Sequence, residues 1–167
     1  VGLASYLLPE GYLSDLGIDS VIRVVKDFIE VSRSYKLEKL FMIATATIRE
    51  ARNQNEILTR IKTASGMKVE LLDEDKEGYY GYKGILIDHQ IDRGLIVDIG
   101  GGSTELSLVT DGKLKDSVSL NLGSLNTYIT YVKEIFPTTL EAERISSAVV
   151  SALKLHKVDK VDVKVCY

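Results

Sequence analysis

The chain has 167 residues, 45% of them hydrophobic and 27% charged, which is enough length and apolar content to bury a core and too little bias for disorder. Its 24 acidic and 21 basic residues leave a net charge of −3, which excludes a whole-chain electrostatic pull on DNA or on an anionic membrane. No apolar run approaches the roughly 20 residues of a membrane-spanning helix, no basic-plus-apolar leader opens the chain, and the lone Cys166 cannot close an internal disulfide. The expectation is a cytoplasmic protein with Cys166 as a small core residue. The start at Val1 without an initiator Met, and the stop directly after VDVKV, read as cuts at both ends.

From Asp19 to Tyr35, Val21, Val24, Val25, Phe28, Ile29 and Val31 recur near a 3.6-residue period and predict an amphipathic helix. LEKLFMIA (37–44) has strand length, TIREARNQNEILTRIKTA (47–64) returns to helical spacing, and Gly66 is its stop. KVELL (68–72) reads as a strand and EDKEGYYGYKGIL as a glycine-interrupted helix, so the first half alternates helix and strand as a parallel α/β layer does. After His89 the segments GLIVDIG, STELSLVT and KDSVSLNL, joined by the turns GGG and DGK, imply antiparallel hairpins. Ser124–Ile135 predicts a helix broken by Pro137, and Thr138–Leu155 another that opens on the capping pair Thr138 and Glu141. VDKVDVKVCY is a final strand, and the polar stretch at 88–94 marks a boundary between domains 1–90 and 91–167.

Gly100, Gly101 and Gly102 follow an apolar strand ending in Asp98 and precede Ser103 and Thr104. Three successive glycines cost conformational entropy and pack nothing, so bare backbone must be needed there. A phosphate cradled by backbone N–H groups, with the Ser103 and Thr104 hydroxyls as further donors, meets that need; a flexible hairpin turn is the plainer reading. Asp98 beside the turn would repel phosphate unless it held a cation, which predicts Mg²⁺, although a turn-capping aspartate has the same position. Glu105 reads either as support for that metal site or as an exposed strand residue.

With IATATIREARN (43–53) and VELLDEDKEGYYGYKG (69–84) in this order and spacing, LIVDIGGGSTELSLV resembles the exopolyphosphatase and guanosine pentaphosphate phosphohydrolase family, Ppx/GppA. The resemblance runs from about Leu7 to Tyr167, and Ala-Thr-x-x-Ile-Arg-x-Ala-x-Asn is its more specific motif. It implies an α/β, ribonuclease-H-like fold of the actin, sugar-kinase and heat-shock-chaperone ATPase class, here a partial two-lobed form. It further implies that Arg49 reaches substrate phosphates and that Glu77 activates the attacking water. On the same grounds Asp98, with Glu105, would hold Mg²⁺, and Gly100–Ser103 would bind the phosphate under attack. Asn53 is expected to close a local helix or turn. The implied partner is inorganic polyphosphate or a guanosine polyphosphate, with no DNA or membrane, and with room for a homodimer.

The chain departs from the family around Glu77. Where the family reads Ser-Gly-x-Glu-Glu-Ala-Arg, this sequence has Asp73, Glu74, Asp75, Lys76, Glu77, Gly78 and Tyr79. An arginine is lost at Tyr79, and Gly78 weakens its helix by roughly 1 kcal/mol relative to Ala. Tyr79, Tyr80 and Tyr82 fit amphipathic packing better than a cleft wall. A family phosphate loop, Asp-Ile-Gly-Ser-Asn-Ser, is expected upstream of Val1, so these residues alone are expected to turn nothing over. The altered surroundings of Glu77 keep a non-catalytic polyphosphate- or alarmone-binding module as an alternative. An ATPase of the same superfold fits less well, since no Pro-x-Ala-Ala pattern follows Glu77.

Overall fold

In the computed structural model, which describes residues 2–158 and 166–167, Ser14 accepts the Gly17 N–H and opens a helix one turn before the apolar spacing begins (α1, Asp15–Arg33). Met42–Ala44 (β1) and Val69–Leu71 (β2) pair in parallel, Met42 opposite Val69 and Ala44 opposite Leu71. The connection between them carries two helices, Ala46–Arg49 (α2) and Gln54–Ser65 (α3), where the sequence spacing predicts one. Tertiary hydrogen bonds break it: the Asn53 side chain accepts from Leu13 N (2.9 Å) and donates to Leu13 O (3.0 Å), and Gln54 Nε2 donates to Arg49 O (2.6 Å). Asn53 therefore fastens a segment forty residues upstream, and does not close its own helix. Gly66, at φ 72°, stops α3 as expected.

These elements form the first of two compact units, Val1–Leu72, whose core is Leu13, Ile18, Ala44, Ile48, Ala51, Ile57 and Ile61. The C-terminal half of α1 contributes little to it. Val25, Phe28, Ile29 and Val31 line an open groove of about 490 Å³ with Tyr35, Leu37, Leu40 and Phe41, and Phe28 and Phe41 are 70% and 77% exposed. The predicted strand at 37–44 shrinks to β1 because, among the described residues, β1 has β2 alone as a ladder partner.

The second unit, Asp73–Tyr167, begins at a helix, Glu74–Ile85 (α4), capped by the Asp73 carboxylate on Lys76 N (2.8 Å). Gly94–Ile99 (β3), Thr104–Thr110 (β4) and Lys113–Leu120 (β5) follow as an antiparallel sheet in the order β3-β4-β5, as the turn pattern predicts. Period-two alternation buries Ser103, Glu105, Ser107 and Val109 on one face. The division of the chain thus lies at 72/73, and the polar stretch at 88–94 falls within the second unit. α4 belongs with the second sheet because Tyr82 Oη donates to Gly112 O (2.7 Å) and Tyr82 packs with Ile91, Ile96 and Val109.

Gly78 is where α4 meets the sheet, and its reading as a weak point in the helix needs correction. A Cβ there would overlap Ser117 Oγ and lie 2.7 Å from Ser117 Cβ and 3.1 Å from Ser107 Oγ. The helix seats on a pair of serines bonded to each other at 2.9 Å, and only a glycine lets it approach so near. Gly78→Ala, which helix propensity alone would make stabilising, is expected to destabilise by about 1–3 kcal/mol through overpacking. A thermal or denaturant melt checks the sign, and adding Ser117→Gly should recover part of the loss.

Two further helices, Ser124–Tyr131 (α5) and Thr139–Leu155 (α6), complete the unit. α5 stops four residues short of Ile135: Val132 turns extended and Lys133 N donates to Glu141 Oε1 (3.3 Å). Thr138 and Glu141 form the predicted capping box, and their bonds hold the Glu141 carboxyl below the usual glutamate range. Most of the predicted last strand, residues 159–165, lies outside the described residues. At its end Cys166 bridges Leu95 in parallel and Tyr167 packs on the Tyr82 cluster. Adjacent strand residues face opposite ways, so Cys166 is exposed, contrary to its expected place in the core.

Candidate active site

The turn Gly100–Ser103 is built by two elements. Gly100 N donates to Ser103 O (2.9 Å), closing the β3-β4 connection, and the start of α5 lies against its other side. Gly123 makes that contact: a Cβ on it would overlap the Gly101 carbonyl carbon and the Gly102 nitrogen and sit 2.5 Å from Gly101 O. Ser124 N and Ser124 Oγ donate to Gly100 O (2.8 and 3.0 Å), Leu125 N and Asn126 N to Gly101 O (2.9 and 3.1 Å), and Asn126 Nδ2 to Gly102 O (2.7 Å).

The consequence follows from the trans peptide, whose C=O and following N–H point in opposite directions. With three consecutive carbonyls turned toward α5, the N–H groups of Gly101, Gly102 and Ser103 turn away from it, and among the described residues none has an acceptor. Successive unpaired N–H groups on one side of a turn are the kind of arrangement that binds anions. None of the three glycines has left-handed backbone, and a Cβ on Gly101 would meet only Leu125 Cβ at an ordinary 3.8 Å. Neither strain nor internal packing calls for a bare Gly101, which leaves the outer face of the turn as the reason for it.

Thr104 Oγ1 is committed to Leu122 O at 2.5 Å, so this hydroxyl fastens the turn to the second residue after β5. Asp98, exposed, stands directly opposite Glu105 in the β3-β4 ladder, and Glu105 in turn opposite Ser119. Glu105 is 5% exposed, and its Oε1 accepts from the buried Ser119 hydroxyl (2.8 Å), so it is neither a surface strand residue nor without a partner. Among the described residues no three His, Cys, Asp or Glu side chains converge as a metal cage.

Contacts along α4 fix its direction over this sheet. Gly78 sits on Ser107 and Ser117, and Tyr82 reaches the far hairpin at Gly112, so the first turn of α4 lies toward Glu105, Asp98 and the glycine turn. Helical side chains lean toward the helix N-terminus, which directs the half-buried Glu77 the same way. Glu77, Asp98, Glu105 and the turn therefore share one end of the second unit. Arg49 belongs to the first unit, where α2 leaves the carboxyl end of β1; Arg49 Nη1 donates to Leu72 O (3.1 Å) just past the carboxyl end of β2. In parallel α/β sheets that is the end at which ligands bind.

Sequence reasoning missed Ser119, Gly123 and Asn126. A glycine followed at three residues by an asparagine, directly after a strand, is the one local signal that could have pointed to the last two.

No described helix is long and apolar enough to cross a membrane. The profile of the Ppx/GppA phosphatase family matches residues 1–165. A bifunctional 3-dehydroquinate synthase/phosphatase of Fusobacterium nucleatum is 28% identical over 119 residues, 68% of this chain and 18% of that protein. Exopolyphosphatase 1 of Mycobacterium bovis is 28% identical over 116 residues, 68% of this chain and 34% of that protein. The solved Ppx/GppA enzyme of Aquifex aeolicus matches with a TM-score of 0.69 at 30% identity, covering 98% of this chain and 54% of that one. The chain thus spans about a third of the mycobacterial protein and about half of the Aquifex enzyme. With that match along nearly its whole length, and with the α/β fold of the Aquifex enzyme, the chain belongs to the Ppx/GppA phosphatase family.

Proposed function

We propose that this chain supplies the phosphate-binding and water-activating part of a cytoplasmic phosphohydrolase that removes terminal phosphate from inorganic polyphosphate or guanosine pentaphosphate. The observation that carries the reading is the set of three outward N–H groups at Gly101, Gly102 and Ser103, at the same end of the sheet as Glu77 and Asp98. In this reading the turn holds the phosphate under attack, and Glu77 accepts the proton of the water that attacks it. Arg49, whose planar guanidinium suits phosphate oxygens, would stabilise the charge that develops on the phosphate.

The donor set suits Mg²⁺. It offers the exposed Asp98 carboxylate with Glu105 opposite it in the ladder, which fits an ion that takes one or two carboxylates and completes its shell with water and substrate phosphates. Bound there, Mg²⁺ would neutralise charge on the phosphate oxygens. The bond from Ser119 gives Glu105 a fixed orientation next to Asp98.

Tyr79 in the family's arginine position favours one other reading, a module that holds the polyanion without cleaving it. A protein carrying this chain at the length of its relatives separates the two. Steady orthophosphate release from polyphosphate or guanosine pentaphosphate with Mg²⁺ supports the phosphohydrolase, and tight binding with no release supports the module.

A further inference from the structure

Two of the three glycine carbonyls are held by backbone N–H groups of α5, but Gly102 O is held by one side-chain atom, Asn126 Nδ2 (2.7 Å). That carbonyl belongs to the peptide whose other end is the Ser103 N–H. Whatever turns Gly102 O toward α5 also turns the Ser103 N–H outward, because the peptide is planar. The Asn126 amide is itself fixed on both sides: Oδ1 accepts from Gly123 N (2.7 Å), and Nδ2 also donates to Asn121 Oδ1 (3.1 Å). Two acceptors around Nδ2 and a backbone donor at Oδ1 leave one orientation for it.

From this arrangement we infer that Asn126 is a positioning residue for phosphate recognition, which aims the Ser103 N–H at the bound phosphate without touching it. The inference rests on the phosphate reading of the glycine turn and adds a division of labour to it. The Gly101 and Gly102 N–H groups are set by the backbone of α5 and survive truncation of the Asn126 side chain. The Ser103 N–H is set by the Asn126 side chain and does not. A residue that merely caps α5 through Gly123 N would have no such selective effect.

The test uses the full 167-residue chain, inorganic tripolyphosphate as probe, titration calorimetry for affinity and amide nuclear magnetic resonance for position. Asn126→Ala is expected to bind about tenfold more weakly, the effect of one misdirected charge-assisted hydrogen bond. The Ser103 amide should lose its response to the probe while Gly101 and Gly102 keep theirs, at a thermal midpoint within a few degrees of the parent. Should Asn126→Ala fail to fold, Asn126→Ser, which keeps a polar side chain but has no amide to hold Gly102 O, carries the same expectation. Equal affinity with the Ser103 response intact would overturn the role of Asn126 and leave the phosphate reading standing. No binding by the unaltered chain would overturn the phosphate reading itself, and the inference with it.

Discussion

Gly123→Ala should cost the protein both stability and its hold on phosphate, although it adds a single methyl group. The added carbon would overlap the Gly101–Gly102 peptide, which is backbone and cannot rotate out of the way as a side chain could. Either α5 withdraws or the turn moves, and both break bonds to Gly100 O, Gly101 O and Gly102 O. Overpacking of this kind costs about 1–3 kcal/mol, which lowers the melting midpoint of a chain of this size by several degrees. Affinity for tripolyphosphate should fall at least about tenfold, since the N–H groups that face the anion lose their aim. A melt and a calorimetric titration of the same sample check both. A loss of stability with affinity unchanged would mean that the turn does not bind the anion through the face opposite α5.

The second large effect is expected at Glu77. If its carboxylate accepts the proton of the attacking water, Glu77→Gln removes the base while keeping shape and polarity. Orthophosphate release should then fall by about 10²–10⁴-fold, the range that general-base catalysis contributes. Substrate binding should hold or tighten slightly, because a negative charge near a polyanion is lost. Stability is to be read on the same variant, because Glu77 also lies in the acidic first turn of α4. Release rates, measured on a protein of the relatives' length beside a melt of the same variant, separate these terms. Unchanged release would remove Glu77 from the chemistry.

Much of the fold was legible because periodicity reports burial directly. The alternation in β4 places Glu105, Ser107 and Val109 on one face, and the Thr138–Glu141 pair marks the start of α6. What escaped were features decided by contacts distant in sequence. The clamp of Asn53 on Leu13 divides a run of helical spacing, and no local pattern announces it. Gly78 looks like a defect in α4 until Ser107 and Ser117 are seen beneath it. The change of pattern from helix–strand to hairpin near residue 90 points to a boundary there, but Tyr82 and Gly78 tie α4 to the sheet that follows.

The candidate site divides in the same way. Gly100–Ser103, Asp98 and Glu77 could be named from residue types, order and family resemblance. The support of the turn could not, because it comes from α5, which begins more than twenty residues after it. Thr104 illustrates the difference: its hydroxyl suits a phosphate by type, yet in the fold it is bonded to Leu122 O.

The central claim is that the face of the glycine turn away from α5 receives phosphate. An amide-resolved titration of the 167-residue chain with tripolyphosphate and Mg²⁺ tests it most directly. The account predicts that the largest shifts fall on Gly101, Gly102 and Ser103 and saturate together. Saturable binding that moves other amides and leaves these three unmoved would contradict it.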